Sequence, residues 1–161
     1  MSIFKTWTDY HHRLNLIFHA IVAVTMLPFV WLLLEIDANA RKGIVDDNFV
    51  VILFLLVCLS LTGTAYVFKK KQLEEAGKKE SLRAKLDSYL RLLIANYALL
   101  EGAALFATLA FYLTASYVFV IVYIFVLFVF SLSRPNLERT CRELFLDKED
   151  RELLIERKEV S

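Results

Sequence analysis

The apolar positions of this chain fall into four long runs divided by polar segments, covering about residues 14–36, 48–68, 90–113 and 117–133. At about 1.5 Å per residue, helical runs of roughly 17–25 residues cross a hydrocarbon core of about 30 Å, and each of the four qualifies. The fourth is dense in Val, Ile and Phe, a composition that reads as strand in water. Beside three similar spans in lipid, a helix is the better reading, because it satisfies every backbone polar group within the segment. The pattern predicts an all-α fold: a four-transmembrane-helix bundle over residues 1–133, made of two hairpins, followed by a charged helical tail at 134–161.

The polar segments carry their own signals. Residues 1–13 read as a short polar arm. Pro28 removes a backbone donor and is expected to kink the first span, and Trp31 suits an interfacial anchor. Gly43 marks a turn in the loop 37–47, and residues 114–116 make a tight turn between the third and fourth spans. In the charged stretch 69–89, Leu82, Leu86 and Tyr89 predict a surface helix that leads straight into the third span. After the fourth span, Pro135 at a first helical position with Ser133 as cap predicts a further short helix, with Leu137, Cys141, Leu144 and Phe145 on its apolar side. Asp147, with Asp150 three residues on, opens a last helix bearing Leu153 and Leu154. A frayed, charged tail is the plainer alternative.

Composition agrees with the pattern. Of 161 residues, 58% are apolar and 13 are Phe, which places the chain in the membrane class as one domain. The first run has no small-x-small cleavage site after it and reads as a retained helix. Cys58 and Cys141 are too far apart in sequence to suggest a disulfide or a metal motif. Lys and Arg cluster in 69–89 and in the tail, whereas loop 37–47 holds only Arg41 and Lys42 against three aspartates. Positive residues favour the cytoplasm, so both termini and the middle loop are expected there, in a multi-pass protein of the bacterial inner (cytoplasmic) membrane. Sliding the first span onto the third pairs Arg13-Leu14 with Arg91-Leu92, Ala20 with Ala98 and Leu27 with Leu105, the pattern of a parallel repeat.

Glu101 is the main chemical handle, an acid in the middle of the third run. Insertion scales put a charged side chain at that depth at roughly 2.5–3.5 kcal/mol unless it is neutral, paired or facing protein. Helical spacing lines it up with Tyr97, Thr108 and Tyr112 as a polar stripe, with Ala98, Gly102, Ala103, Ala104 and Ala107 beside it for close helix approach. Asn15 and His19, one turn apart on the first span, are candidate hydrogen-bond partners for Glu101. The stripe reads as a proton or cation site, or as a protonated Glu that holds the bundle together. A haem on His19 would need a second placed ligand, so no cofactor and no metal is expected. Arg13, Arg91, Lys69, Lys70 and Lys71 lie beside the spans, where they can contact lipid phosphates. No phosphate-binding glycine loop or nucleophile elbow is present in the sequence, and the basic residues are membrane-proximal, which argues against nucleic-acid binding.

Residues 96–113 carry Ala98, Leu99, Glu101, Leu105 and Phe106, and Arg134-Pro135 follows the fourth span. In these the chain resembles a family of small bacterial four-helix integral membrane proteins of no assigned function, which implies fold and location rather than activity. The same stretch is similar to the proton-binding helix of rotary ATPase proteolipid (c) subunits, although the first span here contains no glycine. Small multidrug transporters also combine four helices with one membrane Glu, but carry theirs in the first helix. The expectation is a non-enzymatic structural or accessory subunit of a membrane assembly, with the lipid bilayer and a homo-oligomer or larger complex as partners. The alternative is a proton- or cation-coupled carrier or proteolipid-like subunit that uses Glu101.

Overall fold

The computed structural model describes residues 7–39, 43–45, 48–79, 81–134 and 136–155, and these form helices joined by short turns, without a strand. The order is α1 (Trp7–Asn39), α2 (Asn48–Gly77), α3 (Leu82–Thr114), α4 (Val118–Leu132), α5 (Leu137–Glu143) and α6 (Lys148–Ile155). Three of these, α1, α2 and α3, are long and apolar enough to cross a membrane; the number reaches four only if α4 and α5 count together as one bent span. The 15 residues of α4 extend about 22 Å, short of a 30 Å core.

The helices run further than the apolar pattern. α1 already includes residues 7–13, expected as a polar arm, and passes through Pro28 without ending. α2 continues past Phe68 through Lys69, Lys70 and Lys71 to Gly77. Charge ends a hydrophobic run but does not break a helix, because Lys, Glu and Gln are good helix formers. α3 starts as expected, with surface helix and span continuous, and Ser81 caps it by accepting a hydrogen bond from the Ala84 amide at 3.2 Å.

α3 is the central packing helix. It contacts α1, α2 and α4, most extensively α2. Small buried groups are available on both helices, Cys58 and Ala65 on α2 and Ala103, Ala104, Ala107 and Ala110 on α3, and Cys58 meets Ala103 across the seam. The Cys58 thiol lies 3.8 Å from the Ala103 carbonyl oxygen. Without water to expel, membrane helices gain from close backbone approach, and small residues allow it. α1 and α4 meet through aromatic rings, with Phe29 stacked on Tyr123 at a centroid distance of 3.7 Å. α1 and α2 scarcely touch whereas α3 packs on α4, so the two hairpins are not built alike. The parallel repeat suggested by the sequence is not repeated in the packing.

At one end of the bundle, loop residues 43–45 close over the end of α3. The Val45 amide donates to the Leu113 carbonyl at 3.0 Å. Gly43 lies so close to the backbone of Thr114 that a Cβ would collide with it. Ala115, with φ of 50°, terminates α3 in the left-handed conformation, its amide donating to the Phe111 carbonyl at 2.8 Å. The opposite, basic end gathers the lysines and arginines of the 69–91 stretch and of α5. There the tail is folded: Thr140, Cys141, Leu144 and Leu154 are buried. Asn136, rather than Ser133, caps α5, accepting from the Arg139 amide at 2.7 Å, while Ser133 closes α4. Phe145, expected on the apolar side, is exposed instead. Pro135 and the side chain of Leu153 lie outside the described residues.

Candidate functional site

Of the polar stripe on α3, the structure separates what the sequence lined up. Tyr97 faces the core, fully buried, and its hydroxyl donates to the Ser133 carbonyl at 3.0 Å. Its ring lies 5.9 Å from that of Phe130 and 5.7 Å from that of Phe18. Thr108 is half-buried and donates to the Ala104 carbonyl of its own helix at 2.9 Å. Tyr112 is exposed. Glu101 is half-buried and makes no hydrogen bond or ion pair with another described residue.

The expected link from Glu101 to α1 is not made. The Asn15 amide nitrogen donates to His11 Nδ1 at 3.1 Å, and His19 Nδ1 donates to the Asn15 backbone carbonyl at 2.7 Å. Both partners are one turn away on the same helix, which offers the nearest available acceptor for a polar group on a helix whose surface is largely uncovered. His12, Asn15 and His19 instead line a shallow groove of about 470 Å³ with Leu16 and Ala20. The Asn15 side-chain oxygen is buried without a partner.

Glu101 therefore belongs to the outer face of α3. Ile94, Ala98, Leu105, Phe106, Leu109 and Tyr112 on that face are exposed. The small residues divide in the same way: Ala103, Ala104 and Ala107 are buried, whereas Ala98 is exposed and Gly102 would have open space around an added Cβ. Ala98 and Gly102, four residues apart, form a small-xxx-small pair on a face that no helix among the described residues covers.

A second constellation, at the basic end, was not singled out from the sequence. Glu143 of α5 accepts from the Tyr89 hydroxyl at 2.6 Å, from Arg139 Nε at 2.7 Å and from Lys69 Nζ at 3.1 Å. Burial by itself pushes the Glu143 carboxyl up. The bonds from Tyr89 and Arg139 and the charges of Lys69 and Arg139 outweigh it, and the group sits below the usual carboxylate range. Arg139 also donates to the Leu132 carbonyl at the end of α4, and Lys85 pairs with Asp150 at 3.5 Å. These contacts fasten α5 and α6 to α2, α3 and α4. The signal available in the sequence was the alternation of acid and base in 138–152, which alone gives no partner.

Arg13, Arg91, Lys70 and Lys71 are exposed, and Lys69 is half-buried against Glu143. Arg91 stands on the wall of a cleft of about 350 Å³ between α2 and α3, with Glu75 and Lys79. Among the described residues no group of three or more His, Cys, Asp or Glu side chains comes together to hold a metal. Comparison with protein-family models, curated proteins and solved structures returns no match.

Proposed function

We propose that this chain is a non-enzymatic integral membrane protein that serves as a structural or accessory subunit of a membrane assembly. In this reading it lies in a bacterial cytoplasmic membrane with four spans, α4 completing its crossing with flanking residues and the basic end facing the cytoplasm. The outer face of α3 carries the proposal. It presents an unpaired carboxyl at mid-span, next to Gly102 and Ala98, which no internal contact requires to be small. A carboxyl at that depth costs roughly 2.5–3.5 kcal/mol on insertion scales when unpaired, and a second helix docked against Ala98 and Gly102 would supply its partner. The test is disulfide trapping in native membranes of a Leu105→Cys chain, with and without Glu101→Ala. A trapped dimer or adduct that is lost with Glu101→Ala is expected, while its thermal stability as a detergent-solubilised monomer stays within about 0.5 kcal/mol of the parent. No association in either background would refute the subunit reading.

The outward position of Glu101 also suits a second reading, a proteolipid-like or transport role in which the carboxyl exchanges a proton or cation against a partner surface. Selective carbodiimide labelling of Glu101 that a cation blocks would favour it. Labelling unaffected by cations would remove it.

A further inference from the structure

The cleft between α2 and α5, about 460 Å³, has four cations on its wall, Lys69, Lys70, Arg139 and Arg142, against the carboxylates of Glu74 and Glu143. Lys69 and Arg139 are taken up by Glu143. Lys70 and Arg142 are exposed and make no hydrogen bond or ion pair with another described side chain, and Glu74 does not neutralise either of them by direct contact. Two cations are thus left facing the same cleft.

The apolar part of the wall carries a second, independent observation. α5 ends in a Schellman turn, the Leu146 amide donating to the Cys141 carbonyl at 3.0 Å and the Phe145 amide to the Arg142 carbonyl at 3.4 Å. The position between them needs the left-handed conformation and is usually glycine. Here it is Phe145, with φ of 49° and 76% of its surface exposed. A bulky residue in that conformation is strained, and of the Phe145 ring only one edge is covered, beside Gly77 of α2. Tyr66, 73% exposed, stands on the same wall. Tyr66 lies where the apolar run of α2 gives way to Lys69, Lys70 and Lys71, the level at which aromatic rings meet lipid headgroups, whereas the Phe145 ring stands beside Gly77, about two turns further along α2.

We propose that this cleft binds the phosphoryl headgroup of an anionic membrane phospholipid, Lys70 and Arg142 meeting the phosphate, Tyr66 lying along the start of its acyl chains and Phe145 closing the cleft on the headgroup side. The site requires only that α2 be embedded in lipid and does not depend on Glu101 or on the subunit reading. Phosphoryl oxygens suit both cations, Arg as a planar fork and Lys as a point charge.

The test is native mass spectrometry of the full chain in detergent, titrated in parallel with dioleoyl phosphatidylglycerol, dioleoyl phosphatidylcholine and inorganic phosphate. Phosphatidylglycerol is expected to bind in preference to the other two. Lys70→Gln combined with Arg142→Gln should weaken it roughly thirtyfold, as expected for two near-surface cations. Lys78→Gln combined with Lys148→Gln removes the same charge elsewhere and should change it by about twofold or less. Phe145→Gly relaxes the turn, so it should fold at least as well as the parent yet hold the lipid less tightly. Equal losses for both charge pairs would mean a diffuse field and overturn the site. So would equal binding of the two lipids, or unchanged binding by Phe145→Gly. Inorganic phosphate that binds with the same dependence on Lys70 and Arg142, while the anionic lipid shows no preference, would assign the cleft to a soluble phosphate instead.

Discussion

Glu143 holds three groups with one carboxylate, and its loss should be felt in each. Lys69 has 12% of its side chain exposed and Glu143 14%, so Glu143→Ala leaves a cation that water can barely reach. Breaking such a pair costs roughly 3 kcal/mol, because the remaining charge is uncompensated. Tyr89→Phe removes the 2.6 Å bond to Glu143 and should cost about 1.5–3 kcal/mol, the range for a hydrogen bond to a charged group. Thermal melts in mild detergent, with hydrogen exchange over residues 137–155, check both. The pH dependence has a definite sign. The folded-state pKa of Glu143 is depressed, so its contribution is fully present above the ordinary value near 4.5 and is lost as pH falls through the lower folded-state value. Amide protection of α5 should therefore hold at pH 6 and 7 and fall away below about pH 4.5 in the parent, while Glu143→Gln removes that dependence.

Among the elements, the turns fix the geometry more than the spans do. Gly43 is required by contact rather than by its backbone angle, since a methyl group there would meet the Thr114 carbonyl of α3. Gly43→Ala should displace the loop, break the bond from the Val45 amide to Leu113, and cost about 1–3 kcal/mol by the usual range for forced overpacking. A melting temperature equal to the parent's would show that the loop does not pack as described. At the other end, Asn136→Ala removes the cap of α5 and should cost about 1 kcal/mol, seen as faster hydrogen exchange over residues 137–143. The end of α5 was only half legible. Leu137, Cys141 and Leu144 followed the helical spacing into the interior, but the chain turned left-handed at Phe145 and carried its ring outward. Spacing arguments hold only while the helix continues.

For the molecule as a whole, orientation is the prediction most directly open to measurement. In a variant lacking Cys58 and Cys141, a thiol at Lys78→Cys should be protected from membrane-impermeant reagents in intact cells, and one at Ile44→Cys should react. Both positions are exposed, so accessibility reports the side of the membrane rather than burial. The reverse pattern would invalidate the argument from Lys and Arg distribution.

The sequence by itself determined that the chain is helical and membrane-class, that the third span carries small residues for close helix approach, and that Leu82, Leu86 and Tyr89 lead a surface helix directly into it. Hydrophobic period and run length are local quantities, and lipid leaves the backbone few alternatives to a helix. Only the tertiary structure decided which face of α3 is covered. Helical spacing lists the residues that share a face but not the face a neighbour chooses. The alanines at 103, 104, 107 and 110 are covered by the packing, whereas Glu101 is left half-buried on the other side. The pairing of Glu143 with Lys69, Arg139 and Tyr89 was equally beyond the sequence. Lys69 and Tyr89 lie 74 and 54 residues from Glu143, and an ion pair depends on distance in space, which is settled when the helices pack.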